Sequence, residues 1–247
     1  MTQESPSTLF HRANGRSPSS LRPISFEVGF IDVAEGSVLI SAGNTRVLCN
    51  ASIEEGVPRW MAQEGKVGGW ITGEYSMLPR STETRNRRER SGAKGRTQEI
   101  QRLIGRALRA SVDLTKIGEH TITVDCDVLQ ADGGTRTASI TGGYVALRLA
   151  LQKLINAGKA QSECLLSPVA AISVGLHDNC PFLDLDYRED VAVDVDANFV
   201  MNAEGNIIEV QGTAEGLPFS PEQFHSLLLL AQAGVTDLLA LQEKALQ

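Results

Sequence analysis

Two segments of this 247-residue chain carry residue types spaced for phosphate chemistry. The first is Ala131-Asp132-Gly133-Gly134-Thr135-Arg136-Thr137, which joins the end of a strand-like run to a helix start. A helix N-terminus offers free backbone N–H groups and the positive end of the macrodipole, so it favours anions. Paired glycines let the backbone approach a ligand closely. Thr135 and Thr137 add hydroxyls, and Arg136 adds a planar fork of donors. The turn lacks the Gly-Lys-Ser/Thr ending of a nucleotide P-loop and is no dinucleotide fingerprint. Standing alone it is equally an ordinary glycine-rich helix entry with a surface arginine. Lys94-Gly95-Arg96-Thr97 repeats the arrangement at a second helix start, which strengthens the case for a shared phosphate.

The second segment is acidic. Asp184-Leu185-Asp186-Tyr187-Arg188-Glu189-Asp190 runs into Val191–Asn198. Read as a strand over Val191–Met201, the alternation puts Val191, Val193, Val195, Ala197 and Phe199 on one face. Asp194, Asp196 and Asn198 take the other, with Asp190 of the same parity at the entrance. Same-face neighbours lie about 6–7 Å apart. Two carboxylates so placed beside a phosphate turn can hold a divalent cation or serve as a general acid. Aspartate is disfavoured in strands, so the cluster needs a reason. The bland one is a polar edge that resists edge pairing.

The charge distribution bears on the partner. Net charge is −7, which by itself disfavours nucleic acid. Between Arg80 and Arg109, however, ten basic residues, nine of them arginine, face only Glu83, Glu89 and Glu99. Arg80, Arg85, Arg87, Arg88 and Arg90 fall in one unpatterned stretch, expected as a long loop, and long loops in compact domains are often functional. A local polyanion site is the leading reading; a solvated loop or a subunit contact competes with it.

These residues must be carried by an α+β scaffold. Strands are expected over Ile24–Phe30, Ser37–Ser41, Thr45–Ile53, Trp70–Met77, His120–Leu129, Val169–Leu176, Phe182–Asp186, Val191–Met201 and Ile207–Gln211. Ala42-Gly43-Asn44-Thr45 makes a hairpin of the second and third. Helices are expected over Thr97–Val112, with apolar Ile100, Leu103, Ile104, Ala107 and Leu108 opposite Arg102, Arg106 and Arg109, and over Thr137–Ala157, closed by Gly158. A last helix starts at Ser220-Pro221-Glu222-Gln223, a capping box with proline at its first position. Residues 1–20 read as a mobile arm and 21–247 as a single domain. The four cysteines lack metal or disulfide spacing, and Cys49 and Cys126 read as small core residues. No stretch reads as a membrane span, the longest strongly apolar run being Leu227–Ala231, and a cytoplasmic location is expected.

Taken together, Leu21-Arg22-Pro23-Ile24, Glu35–Ile40, Gly43–Val47, Glu74–Arg80, Gly95-Arg96-Thr97, Glu99–Arg106, Gln130–Gly142 and Glu209–Thr213 resemble the ribonuclease PH family. The resemblance covers nearly the whole chain after the arm. It implies a two-layer α/β sandwich of two pseudo-repeated halves, like domain 2 of ribosomal protein S5, and a homohexameric ring built as a trimer of dimers. It also implies phosphorolysis: inorganic phosphate as co-substrate attacks the 3′-terminal phosphodiester of tRNA precursors and other RNA, and a nucleoside diphosphate leaves. The partner is RNA, with neither DNA nor membrane. By similarity, Arg96, Gly134, Thr135 and Arg136 hold phosphate. Asp190 and Asp196 are the active-site aspartates, supported by Mg²⁺, with metal holding and acid roles unassigned between them. The Arg80–Arg90 loop serves RNA, assembly or both. Three other readings remain: a hydrolytic metal-dependent nuclease, a non-catalytic RNA-binding ring subunit, and a structural oligomer whose arginines serve assembly.

Overall fold

The computed structural model describes Arg12, residues 15–90 and residues 92–247. Two antiparallel-rich sheets share one buried helix. The first sheet holds β1 (Ile24–Val28), β2 (Gly36–Ala42), β3 (Thr45–Glu55), β4 (Trp70–Met77) and β5 (His120–Gln130) in the order β1-β2-β3-β5-β4. The hairpin falls where expected, with Ala42 paired to Thr45 across Gly43. Among the described strands, only β4 and β5 run parallel. A parallel pair needs a crossover, and α2 (Gly95–Arg109) supplies it. The second sheet orders β6 (Val169–His177), β7 (Cys180–Leu183), β8 (Val195–Asn202) and β9 (Ile207–Ala214) as β7-β6-β8-β9.

Between the sheets runs α3 (Thr135–Asn156), buried on nearly all sides. A helix apolar all round belongs in a core. Strand β6 shows the consequence of the pleat: Val169 and Ala171 join the core around α3, whereas Ala170, Ile172, Val174 and Leu176 pack under α5 (Pro221–Ala245). Each sheet thus backs onto helix, in keeping with the expected α+β class and two-part layout.

The termini and two short helices depart from expectation. Between the strands expected at Thr45–Ile53 and Trp70–Met77, where no element was assigned, β3 continues to Glu55 and α1 (Arg59–Gln63) follows. The strand expected over Phe182–Asp186 ends at Leu183, and Val191 and Ala192, expected to open the next strand, belong to α4 (Tyr187–Ala192), so β8 begins only at Val195. Of the arm, residues 1–11, 13 and 14 lie outside the described residues, while Arg12 is buried, with its guanidinium on Glu189. Finally, α5 is long and apolar enough by length and composition to cross a membrane, contrary to expectation. Its apolar stripe, Leu227, Ala231, Val235 and Leu238, is occupied by the second sheet. The Ser220 capping box is present, and buried Gln242 donates to the Thr141 and Val169 carbonyls at its far end.

Candidate active site

Because β4 and β5 are parallel, both end on the same side of the sheet. The chain leaving β4 loops through 78–94 and enters α2; the chain leaving β5 turns at once into α3. Two helix N-termini therefore meet at one edge, and each carries arginine at its second residue, Arg96 and Arg136. Neither terminus has a side-chain cap, which leaves the first-turn N–H groups to a ligand. Gly133 and Gly134 both adopt positive φ, +72° and +63°. Thr45 clamps the turn, donating to the Gly133 carbonyl at 2.6 Å and accepting from Asp132 N–H at 2.9 Å. The Thr135 hydroxyl lies 2.9 Å from Tyr75 Oη. Arg136 is held in place by Gln211 at 2.7 Å and Glu99 at 3.6 Å.

The second half brings the acids. Asp186 caps α4 by accepting from the Arg188 and Glu189 N–H groups, and the Glu189 side chain returns the bond. A six-residue helix has little stability of its own, so this box and its neighbours fix where Asp190 points. Asp196 comes instead from β8, on the same strand face as Asn198. A Cβ on Gly133 would stand 2.5 Å from the Leu185 carbonyl oxygen. The glycine thus lets the phosphate turn lie directly on the segment leading to α4. Arg22 ties the same two segments together. It donates to Asp184 Oδ1 at 2.7 Å and to the Asp132 carbonyl at 2.5 Å.

The result is a cleft of about 1750 Å³ between the halves. Its walls include Arg80, Arg96, Gly134, Thr135, Arg136, Asp190 and Asp196. Burial raises the carboxyl of Asp190, with Arg136 and Arg96 pulling the other way. Burial, then the neighbouring Asp190, pushes Asp196 up to about 6 against the same two arginines. Asp196 Oδ1 is buried without a hydrogen-bond partner. Unpaired buried oxygens are costly and commonly mark function.

The structure therefore gathers Arg96, Arg136, Gly134, Thr135, Asp190 and Asp196, as the sequence predicted, but by different elements. The single strand face drawn through Asp190, Asp194 and Asp196 does not exist. Asp194 lies before β8 and accepts from Asp178 N–H at 3.0 Å. The Asp186-x-x-Glu189 capping signature was the signal for helix. Of the loop arginines, Arg80 lines the cleft, whereas Arg85, Arg87, Arg88 and Arg90 are exposed and outside its lining. Sequence reasoning assigned no role to Arg22, Asp184 or Glu189, and only Glu189 had a local pattern that could have shown it.

Comparison with known proteins agrees with this geometry. Residues 20–151 match domain 1, and residues 167–234 domain 2, of the 3′ exoribonuclease family. The ribonuclease PH of Crocosphaera subtropica is 55% identical over 96% of this chain and 98% of its own length. This chain belongs to the 3′ exoribonuclease family, in its ribonuclease PH branch. It is accordingly a phosphorolytic 3′ exoribonuclease, a nucleotidyltransferase. Solved structures share the fold. Rice Rrp46 matches with TM-score 0.76 and 22% identity, covering 96% of this chain and all of that one. The Archaeoglobus fulgidus exosome with RNA bound to the active site matches with TM-score 0.75 and 20% identity, covering 94% and 92%.

Proposed function

We propose that this enzyme trims the 3′ ends of tRNA precursors and other RNA in the cytoplasm, working as a homohexameric ring. Inorganic phosphate sits against Arg96, Arg136 and the N–H groups of Gly134 and Thr135. One of its oxygens attacks the terminal phosphorus. The P–O3′ bond breaks, the 3′-oxygen of the shortened RNA takes a proton, and a nucleoside diphosphate departs. Two guanidiniums neutralise the anionic nucleophile and orient it, so catalysis is chiefly positioning and charge stabilisation. Asp196, raised to about 6, keeps part of its proton near neutral pH, which supports it as the donor to the leaving oxygen.

Asp190 and Asp196 also fit magnesium. Among the described residues no cluster of three or more His, Cys, Asp or Glu is arranged for a metal. Magnesium asks for less, commonly one or two carboxylates with water and substrate phosphates. The unpartnered Asp196 Oδ1 beside a second buried carboxylate is an acceptor that a cation would satisfy. Bound there, magnesium would neutralise charge on the phosphoryl oxygens and would drive the proton off Asp196, so metal holding and proton donation are alternative roles for that carboxyl. Arg80 and the exposed arginines after it would hold the RNA backbone, in a salt-sensitive contact without base preference.

The observation carrying this reading is the meeting of two arginine-bearing helix N-termini with two buried carboxylates in one cleft. The test is incubation with a 3′-extended tRNA, with and without phosphate. Phosphate-dependent release of nucleoside diphosphates is expected. Nucleoside monophosphates released without phosphate would establish the hydrolytic alternative instead.

A further inference from the structure

We infer that Arg12 and Arg16, near the start of the chain, are positioning residues that set Asp190 for catalysis through Glu189. Arg12 Nε and Nη2 reach the two Glu189 carboxylate oxygens at 2.8 Å each. The same Nη2 donates to the Leu183 carbonyl at 2.6 Å and the Asp184 carbonyl at 3.1 Å. Arg16 adds a contact to Glu189 Oε2 at 3.0 Å and another to the Asp184 carbonyl at 3.2 Å. Glu189 is 2% exposed and Arg12 5%. A carboxylate buried there needs partners, and the Arg12 and Arg16 guanidiniums with the Asp186 N–H supply them.

Geometry makes this cluster a lever on the active site. Glu189 and Asp190 are consecutive in α4, so their side chains diverge by about 100° around the helix axis. With Glu189 pinned inward by the arginines, Asp190 is turned into the cleft that Arg96 and Arg136 line. The helix is too short to hold that orientation alone. Its anchor comes from residues more than 170 positions earlier in the chain, so the N-terminal segment is part of the catalytic apparatus although neither Arg12 nor Glu189 lines the cleft. Displacing a catalytic carboxylate by a fraction of its length costs rate, not phosphate affinity, because the phosphate pocket belongs to the other half.

This inference rests on Asp190 being catalytic, and a double-mutant cycle separates the two claims. R12A, D190N and R12A/D190N are compared, with E189Q as a milder disruption that keeps side-chain shape. Melting temperature and particle size are recorded for each. R12A and E189Q should lower kcat about 10- to 100-fold with the KM for phosphate within about twofold. In the D190N background, R12A should cost nothing further, because its effect runs through the missing carboxylate. If D190N retains full activity, the assignment of Asp190 fails. If D190N is impaired and R12A lowers kcat by the same factor in both backgrounds, or E189Q leaves kcat unchanged, Asp190 stands and the positioning role is overturned.

Discussion

Replacing Asp196 by Asn should stabilise the protein while it disables it, and only on the alkaline side. The carboxyl is raised from 3.8 to about 6 in the folded chain, first by burial and then by Asp190. Between these values the folded state holds more proton than the unfolded state. Stability therefore falls as pH rises from about 4 to about 6, and the full penalty is present above that. A gap of about two pH units corresponds to about 3 kcal/mol. Asp196 retains some solvent contact, so about 2 kcal/mol is the better figure. For a chain of this size that is a melting-point gain of about 4–8 °C. The assay is thermal unfolding of wild type and D196N, without magnesium, near pH 8 and near pH 4.5. The gain should be full at the first and only about a third as large at the second. Magnesium should raise the wild-type melting point more than that of the variant, which keeps Asp190 alone to hold it. If D196N melts lower than wild type at both pH values by the same amount, the carboxylate is not electrostatically strained and the argument for its proton fails. The same variant should lose about 10²- to 10⁴-fold in kcat, the usual worth of a positioned acid.

Other consequences follow from the same geometry. R136A should abolish measurable phosphate-dependent trimming with the circular dichroism spectrum unchanged, because Arg136 lies at a helix entry and its partners Gln211 and Glu99 are polar side chains outside the core; retained activity would remove the turn from the site. Gly133→Ala should cost both stability and rate, about 1–3 kcal/mol in a urea titration, since its Cβ would collide with the Leu185 carbonyl at 2.5 Å and its φ is +72°. Reversing Arg85, Arg87, Arg88 and Arg90 to Glu should weaken RNA binding and flatten its salt dependence while leaving the KM for phosphate unchanged; an unaltered slope with altered particle size would assign the loop to assembly. Ser220→Ala should lower stability by about 1 kcal/mol through loss of the α5 cap, read as a melting-point drop with normal activity.

How legible each part was follows from the range of the forces that set it. The phosphate turn could be read because all its determinants are local: paired glycines, a strand before, a helix after. The boundaries of β4 and β5 could be read for the same reason, since strict alternation of Ile122, Val124, Cys126 and Val128 records one buried face. The acidic run misled because two local signals conflict there. Alternating valines argue for strand, while Asp186 and Glu189 argue for a capped helix, and the latter prevails because Arg12 and Arg16 stabilise Glu189 from far away in sequence. The parallel pairing of β4 with β5, on which the meeting of Arg96 and Arg136 depends, leaves no mark in either strand alone. Likewise the sheet accounts for Leu227, Ala231, Val235 and Leu238 of α5, a packing that its apolar composition alone does not reveal, while Leu229 stays exposed.

The division of labour between the halves explains why the site lies where they join. The first half supplies positive charge, from two helix N-termini and their arginines, and the second supplies carboxylates. Neither group would be poised alone. Without the arginines, Asp190 and Asp196 would be driven further toward their protonated forms, because burial and mutual repulsion would go unopposed. Without the aspartates, the pocket would hold phosphate with nothing to serve the leaving oxygen. Docking of the halves is therefore itself a catalytic requirement, and it is secured at Gly133, where backbone meets backbone, and at Arg22, whose guanidinium bridges Asp184 of one half and the Asp132 carbonyl of the other. Cutting that bridge with Arg22→Ala strips Asp184, buried at φ +55°, of both guanidinium bonds and leaves it the residue-22 backbone N–H and Arg16 at 4.0 Å, a loss of about 1–3 kcal/mol. Arg22→Ala/Asp184→Ala removes both partners and should recover much of that stability. The rate should not recover with it, because the two halves of the site would no longer be held in register; a double variant restored in both would show that the bridge serves folding alone.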